Sequence, residues 1–255
     1  MIEELGVRIF SAQELCYVIR HNPFLISDGL IDERLVAFLV DELDMALLGA
    51  RLKKGLENGS RKEDLALLIL NEVHYDTQAE LSRFREELTA MGRLHPAEYA
   101  KQKADYYCMR LRYGKAIQIY GEILEANRDG YMDNAFIAKI HNNLATAYVG
   151  LFQFEKAMKE FQAAYDLGRE RKYVKAMYLL SLLEPSVQPE AAAAFGMTNS
   201  EAEGWKKRME EWRQGVMEGE SAAAIKENFE KDPIRRISGA KEIIGQWKQE
   251  YRKMV

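Results

Sequence analysis

The chain has 255 residues, of which 47% are hydrophobic and 30% charged, a composition typical of a globular protein with a substantial core. Its formal net charge is −4 at pH 7, and residues 1–95, 96–198 and 199–255 hold 11, 13 and 12 Lys or Arg against 17, 12 and 11 Asp or Glu. No part has the basic excess that binding to a phosphate backbone requires, so the composition argues against a nucleic-acid partner.

The two cysteines, Cys16 and Cys108, both lie in apolar helical patterns. We therefore expect buried thiols in a reducing compartment, and neither a disulfide nor a metal site. Glu3 and Glu4 stand where a signal peptide has positive charge, and no apolar run reaches the roughly 18 residues of a membrane span. The sequence thus predicts a cytoplasmic protein and argues against a membrane partner.

Residues 1–95 are predicted to form a helical N-terminal domain. Three helix starts are marked by a capping box, in which a Ser or Thr side chain bonds the third helical N–H and an acid reaches back to the cap; these starts are Ser11, Ser60 and Thr77. The first helix is expected to end before Pro23, because proline disfavours the helical conformation in the residue before it. The acidic charge of this region and its lack of a basic recognition helix argue against DNA binding.

Residues 24–26 are interpreted as an apolar connector that follows the first helix. One long helix is then expected from about Asp32 to Leu56, because its leucines and other apolar residues recur near the 3.6-residue period. Asn58-Gly59, a turn signal, marks its end.

Two copies of one residue spacing follow between Pro96 and Leu183. The first copy consists of Ala104, Tyr107, Ala116 and Tyr120, and the second of Ala145, Tyr148, Ala157 and Phe161. In each copy the alanines are 12 positions apart, and corresponding positions of the two copies are 41 apart. A small residue is needed where two helices of a hairpin cross closely, and a ring three or four positions along the same helix covers the crossing. The spacing predicts one hairpin of helices at 97–111 and 114–127, a second at 134–150 and 154–168, and a further helix at 171–183.

This pattern resembles the tetratricopeptide repeat (TPR), a helix-turn-helix unit whose stacked copies usually bind other proteins. The resemblance implies an all-α fold, in which a TPR-like α-α superhelix at 96–183 follows the N-terminal helical domain and precedes C-terminal capping helices at 184–255. The family period is 34 residues, so the 41-residue offset of this chain predicts extra residues near 128–133.

Helices are also predicted in the last part of the chain, at 191–195, from a capping box at Ser200 onward, at 222–229 and at 238–255. Trp205, Met209, Trp212 and Val216 recur at steps of four, three and four, which makes one apolar stripe on an otherwise charged helix.

Residues 235–255 hold six basic residues against two acidic ones, together with Ile244 and Trp247. We expect this last helix to pack over the open end of the repeats as a capping helix. Attachment to an anionic membrane surface is the alternative that the same residues allow.

Candidate catalytic residues are not found. The four histidines, His21, His74, His95 and His141, are far apart in sequence and belong to no metal-binding or nucleophile-base spacing. The sequence also lacks a glycine-rich phosphate loop, a Gly-x-Ser-x-Gly motif and a Cys-x-x-Cys pair. We therefore expect no catalytic site, no metal and no cofactor.

In TPR proteins the partner usually lies in the concave surface lined by the first helix of each hairpin. Transferred to this chain, the resemblance implies a groove formed by Glu98, Lys101, Gln102, Asp105, Cys108 and Met109 on one helix, Lys139, Asn142, Asn143, Thr146 and Val149 on the next, and Arg171, Lys175 and Tyr178 on the third. Amides and lysines on such a wall suit hydrogen bonding to an extended peptide backbone or a carboxylate.

One TPR subclass grips a C-terminal carboxylate with lysines, asparagines and an arginine. Lys101 and Asn143 match two positions of that clamp, and Arg171 and Lys175 have its four-residue spacing. Asp105, however, stands where the clamp needs another asparagine, and an acid there would repel a carboxylate.

The sequence therefore predicts a non-enzymatic adaptor or scaffold that binds a protein or peptide segment in the repeat groove. The alternative is a peptide-sensing regulator whose N-terminal helical domain is the output unit. Self-association through the tryptophan-bearing helices stays open.

Overall fold

The computed structural model describes residues 2, 5–188 and 196–255, and over these residues the chain is all-helical, with no β-strand. The predicted helix at 191–195 lies outside the described residues. The chain divides into two compact units, Met1–Tyr99 and Ala100–Val255. Within the described ranges, no helix combines the length and the apolar character needed to cross a bilayer.

The first unit is built around one central helix. Its elements are α1 (Ala12–His21), α2 (Pro23–Leu25), a π-helical turn (Ile26–Leu30), α3 (Glu33–Asp41), α4 (Ala46–Glu57), α5 (Lys62–Glu72) and α6 (Gln78–Gly92). The buried residues of α5 are Leu65, Ala66, Leu67, Ile69 and Leu70, which cover most of its circumference. Helix α5 is therefore the centre of the core on which the other helices bury their apolar faces. Cys16 belongs to this core, and burial raises the pKa of its thiol to about 12.

The prediction of one long helix from Asp32 to Leu56 is wrong, because the chain forms two helices there, α3 and α4, with a break between them. Asp44 adopts a left-handed conformation with φ of 53° there, and the Met45 N–H donates to the carbonyl of Leu39 at 2.8 Å. Apolar residues recur across the break in the sequence, but the buried face changes there, since Leu47 is 85% exposed and α4 buries Leu48 and Leu52 instead. The apolar spacing alone does not reveal the turn.

The other boundary predictions in this unit have mixed outcomes. The helix caps at Ser11 and Thr77 are confirmed, since each side chain accepts a hydrogen bond from the third helical N–H. The cap at Ser60 is wrong by one residue, because Arg61 is the N-cap of α5 and makes no side-chain capping bond. Residues 24–26 are helical, since proline at the first position of α2 is compatible with helix.

The second unit contains the repeat region and the last helices of the chain. The unit boundary falls in the first turn of α7 (Pro96–Met109). The remaining helices are α8 (Tyr113–Glu125), α9 (Asn134–Gly150), α10 (Phe154–Gly168), α11 (Arg171–Leu183), α12 (Asn199–Met217), α13 (Glu220–Glu230) and α14 (Pro233–Met254). The predicted bounds of α9, α10 and α11 are confirmed, and those of α7 and α8 are correct to within two residues.

The small residues of both copies lie where the helices cross. Ala104, Ala116, Ala145 and Ala157 are each 0% exposed. Of the rings predicted to pack in the core, Tyr107, Tyr120 and Phe161 are buried and Tyr148 is half-buried. The extra residues between the copies form the connection at 126–133, as the 41-residue offset predicted.

The turns inside the two hairpins, α7/α8 and α9/α10, have the same geometry 41 residues apart. Leu111 and Phe152 both adopt a left-handed conformation with φ of 58°. The next residues, Arg112 and Gln153, each donate a backbone hydrogen bond of 2.9 Å to the carbonyl of the repeat tyrosine, Tyr107 or Tyr148. A left-handed residue in this arrangement closes the C-terminus of a helix, so both hairpins reverse direction in the same way.

Contacts along the helices give their directions. On α9 and α10, His141 Nδ1 lies 2.6 Å from Glu160 Oε2, whereas Ala145, further along α9, clusters with Ala157, further back on α10. The two helices are therefore antiparallel. Helix α11 packs against both, because Tyr173 is fully buried beside Ala138 and Ala164.

Helix α12 runs parallel to α11. The starts of the two helices meet where Arg171 pairs with Glu201, and Tyr178 and Trp205, further along, have ring centroids 5.9 Å apart. The N-cap of α12 is Thr198, whose capping box with Glu201 replaces the one predicted at Ser200. Trp205 is 8% exposed and belongs to the same core cluster as α10 and α11.

Helix α14 buries none of its residues, which differs from the packed capping helix that the sequence predicted. It begins at Pro233 rather than 238, because the Asp232 carboxylate accepts hydrogen bonds from the first N–H groups of the helix. It is held at its end, where Arg112 Nη1 donates to the Lys253 carbonyl at 2.7 Å. A Cβ atom at Gly114 would lie 1.8 Å from the Val255 carbonyl oxygen, so Val255 packs directly against the backbone of Gly114.

We expect Gly114→Ala to detach the end of α14, because the new methyl group would displace Val255 and weaken the Arg112 bond. Hydrogen exchange at the amides of residues 250–255 should accelerate about fivefold, the effect of losing about 1 kcal/mol of hydrogen bonding. Gly121→Ala is the control in the same helix, since nothing lies within 4 Å of its new Cβ. Unchanged exchange in Gly114→Ala would contradict the docking.

Candidate partner-binding face

Asp105 is the centre of a hydrogen-bonded network that joins α7, α8 and α9. Its carboxylate pairs with Lys101 Nζ at 2.7 Å and accepts from Asn143 Nδ2 at 2.8 Å, and it also accepts from the hydroxyl of Tyr120. Asn142 donates to the side-chain oxygen of Asn143 at 3.2 Å, which extends the network along α9. Of these four residues expected to face a partner, Asp105 and Asn143 join two helices, whereas Lys101 and Asn142 bond within their own helices.

The surroundings of Asp105 keep its neighbours protonated. Burial raises the pKa of the Tyr120 hydroxyl far above its usual range, and the hydrogen bond to Asp105 acts in the same direction. Burial also raises the pKa of the Cys108 thiol to about 11, with the Asp105 charge as the second cause. The tyrosine thus remains a donor at neutral pH, and the thiol is not a nucleophile.

A second polar contact, the clasp between Arg171 and Glu201, joins the starts of α11 and α12. The Arg171 guanidinium donates through Nε to Glu201 Oε1 at 3.1 Å and through Nη2 to Oε2. The N–H of Thr198 donates to the same carboxylate at 2.9 Å. These bonds lower the pKa of Glu201 to about 2, and the hydrogen bond from the Thr198 N–H has the largest effect.

An open apolar groove lies between α9, α11 and α12, and we call it the α11–α12 groove. Its volume is about 420 Å³, and it is lined by Thr146, Val149, Phe161, Lys175, Ala176, Leu179, Leu180, Leu183, Trp205, Arg208, Met209 and Trp212. Trp205 forms its buried end, whereas Trp212 is 68% exposed. Within the part of the chain that the structure describes, no carboxylate, histidine or thiol lines it, so the described lining offers apolar contacts and two cations.

The residues predicted for the concave groove do not form one free surface. Lys175, Thr146 and Val149 line the α11–α12 groove, and Tyr178 packs against Trp205 beside it. Lys139 is exposed on α9, and Met109 is exposed at the end of α7. Glu98, Gln102 and Cys108 are half-buried on α7, and the first two have partners within the chain.

The carboxylate clamp is not available in this arrangement. Lys101 already pairs with Asp105, and Arg171 already pairs with Glu201. Of the three cations predicted for the clamp, Lys175 alone lines the α11–α12 groove. A terminal carboxylate at the clamp would find Lys101 and Arg171 already paired with other carboxylates.

The residues that sequence reasoning missed are mostly on α12 and on the second half of α11. They are Leu179, Leu183, Trp205, Arg208, Met209 and Trp212. The stripe of Trp205, Met209 and Trp212 was visible in the sequence, but its spacing does not show against which helix it packs.

Larger clefts in the first unit are less suited to binding. Two adjoining clefts of about 680 and 480 Å³ lie between α5 and α6 and share Asp64, Leu67 and Arg85. Arg61 forms two hydrogen bonds of 2.9 Å with Asp64 at this surface, so these two charges are paired within α5 and its N-cap. Among the residues with described positions, no group of His, Cys, Asp and Glu side chains is arranged to hold a metal ion.

Comparisons with protein-family models, with curated proteins and with solved structures found no match to this chain.

We expect Asn143→Ala to lower the free energy of unfolding by about 1 kcal/mol, because a charge-assisted hydrogen bond between α7 and α9 is lost at a partly exposed site. Asn142→Ala, which removes a neutral bond at the edge of the network, is the control and should have a smaller effect. Urea unfolding measures the free energy of unfolding of both variants. Equal losses would show that the hydrogen bond from Asn143 to Asp105 does not stabilise the fold.

The Arg171–Glu201 clasp should weaken in acid. A carboxyl whose pKa is lowered on folding stabilises the protein above its ordinary pKa, about 4.5 for Glu201, and this contribution is lost as the pH falls towards about 2. The melting temperature of Glu201→Gln should therefore lie below that of the unchanged protein at pH 7, and the difference should vanish near pH 2. Glu203→Gln, at an exposed position of the same helix, should melt like the unchanged protein throughout; a difference that persists at pH 2 would contradict this assignment.

Proposed function

We propose that this chain is a non-enzymatic protein-binding module, in which TPR-like hairpins display the α11–α12 groove to a segment of another protein. The groove itself carries the proposal. It exposes large apolar side chains, including Trp212 and Leu183, beside the helices of the repeats. Contiguous exposed apolar surface of this kind marks interaction sites, and tryptophan is enriched among residues that dominate binding energy.

The repeat interpretation is supported by the equivalence of the two hairpins. Their alanines are buried at corresponding positions, and their turns have the same φ at Leu111 and Phe152. Helix α11 then packs on α9 and α10 as the start of a further hairpin would, and α12 runs parallel to it. We propose that α12 continues the row of first helices to which α7, α9 and α11 belong.

The groove suits binding rather than support of the fold. The first turns of α12 already attach it to α11, through the Arg171–Glu201 clasp and through Trp205. The following turns carry Met209 and Trp212 beyond that attachment, and Trp212 keeps most of its surface in water. An exposed tryptophan that the fold does not use is available to a partner.

Photo-crosslinking tests this proposal. A photoreactive amino acid placed at Leu183 should yield a crosslinked partner in the source cells, because this position lies on the groove. The same amino acid at Phe229, an equally exposed apolar position on α13 outside the groove, is the matched control. Trp212→Ala should reduce the crosslink from Leu183 at least about tenfold, the effect typical of a central aromatic in an interface.

The controls decide the result. Far-ultraviolet circular dichroism should be unchanged in Trp212→Ala, because this side chain is mostly exposed. Equal crosslinking at Leu183 and Phe229, or a crosslink that survives Trp212→Ala, would contradict the groove as the binding site.

A further inference from the structure

We propose that the partner of the α11–α12 groove is an amphipathic helical segment that carries carboxylates beside its apolar side chains. This inference rests on the proposed function and adds the charge of the partner. It starts from the two cations of the groove, Lys175 on α11 and Arg208 on α12, which come from its two facing helices.

Among the described residues, Lys175 and Arg208 form no ion pair and no hydrogen bond. Several neighbouring cations are paired, namely Arg171 with Glu201, Lys172 with Glu170 and Lys207 with Glu211. No described carboxylate compensates the two positive charges at the groove.

Among the described lining residues of the groove there is no acid to balance these charges, because the others are apolar apart from Thr146. The Thr146 hydroxyl is also satisfied within the chain, since it donates to the Asn142 carbonyl at 2.9 Å. A partner that brings carboxylates to this rim gains two ion pairs next to a surface that excludes water, whereas a partner with lysines meets two like charges. Charge complementarity thus selects an acidic segment.

The shape of the groove favours a helix as the occupant. It is bounded along its length by the parallel helices α11 and α12, with Leu179 and Leu183 one turn apart on one side and Met209 and Trp212 nearly one turn apart on the other. A helix laid in such a groove presents apolar side chains at i, i+3 or i+4 and i+7. Acids on the flanks of that stripe would then face Lys175 on one side and Arg208 on the other.

The test uses the tryptophans of the groove as reporters. The full chain with Trp247→Phe retains Trp205 and Trp212, both of which line the groove. Two synthetic peptides of about 18 residues, a length at which an isolated helix forms, are titrated into it. They share one leucine stripe, and the residues flanking the stripe are glutamates in one peptide and lysines in the other.

The acidic peptide should shift the tryptophan emission to shorter wavelength and bind about tenfold more tightly than the basic peptide, because two exposed ion pairs replace two repulsions. The preference should weaken as salt is added. In the variant with Lys175→Glu and Arg208→Glu, the basic peptide should become the tighter ligand. Lys206→Glu with Lys248→Glu makes the same change in net charge outside the groove and should keep the preference for the acidic peptide.

Equal binding of the two peptides would overturn the proposed preference for an acidic segment while leaving the groove as a binding site. A preference that survives reversal of Lys175 and Arg208, or the absence of an emission shift with either peptide, would also overturn it, and a crosslink from Leu183 would still support the proposed function. If the reversed variant fails to fold, Lys175→Gln with Arg208→Gln replaces it and should abolish the preference.

Discussion

The second unit depends on the close crossing of its helices at alanine. Ala104, Ala116, Ala145 and Ala157 have no exposed surface, so each hairpin is held at a separation that a larger side chain would not allow. The rings one turn away fill the space beside each crossing, and Tyr120 is thereby brought to Asp105. The polar network at Asp105 joins these same helices.

The close crossing also explains why most of the polar wall is not a free binding surface. Asp105 on α7 and Asn143 on α9 are near enough to bond directly, with 2.8 Å between the carboxylate and the amide. Pairing and hydrogen bonds stabilise the half-buried carboxylate of Asp105, and Lys101 and Tyr120 supply its remaining partners. The resemblance to TPR proteins assigns Asp105 and Asn143 to partner binding, but in this chain they bond α7 to α9. A polar helix face is therefore not by itself a binding site.

The bounds of the repeat helices could be predicted from the sequence, whereas the groove between α11 and α12 could not, for a physical reason. The bounds of α9, α10 and α11 follow from local signals, namely apolar periodicity, small residues and turns, which act within a few residues. The break at Asp44 was not predicted because apolar residues such as Leu47 continue the period of α3 in the sequence, although Leu47 is exposed and α4 buries Leu48 and Leu52. The α11–α12 groove was not predicted because it depends on how α12 packs against α11, which no residue spacing encodes. The tryptophan stripe showed that an apolar face exists, whereas only the fold places Arg208 and Lys175 on the same groove.

Helix α12 combines two roles that a terminal helix usually keeps apart. A helix that only closes an array turns its apolar residues inward and a polar face outward. In α12, Trp205 closes the core, but Trp212 continues the same stripe into solvent because α11 ends at Leu183 and offers no further surface to cover it. The stripe therefore continues past the end of the helix on which it packs. Its uncovered part leaves a large apolar side chain in solvent beside Lys175 and Arg208.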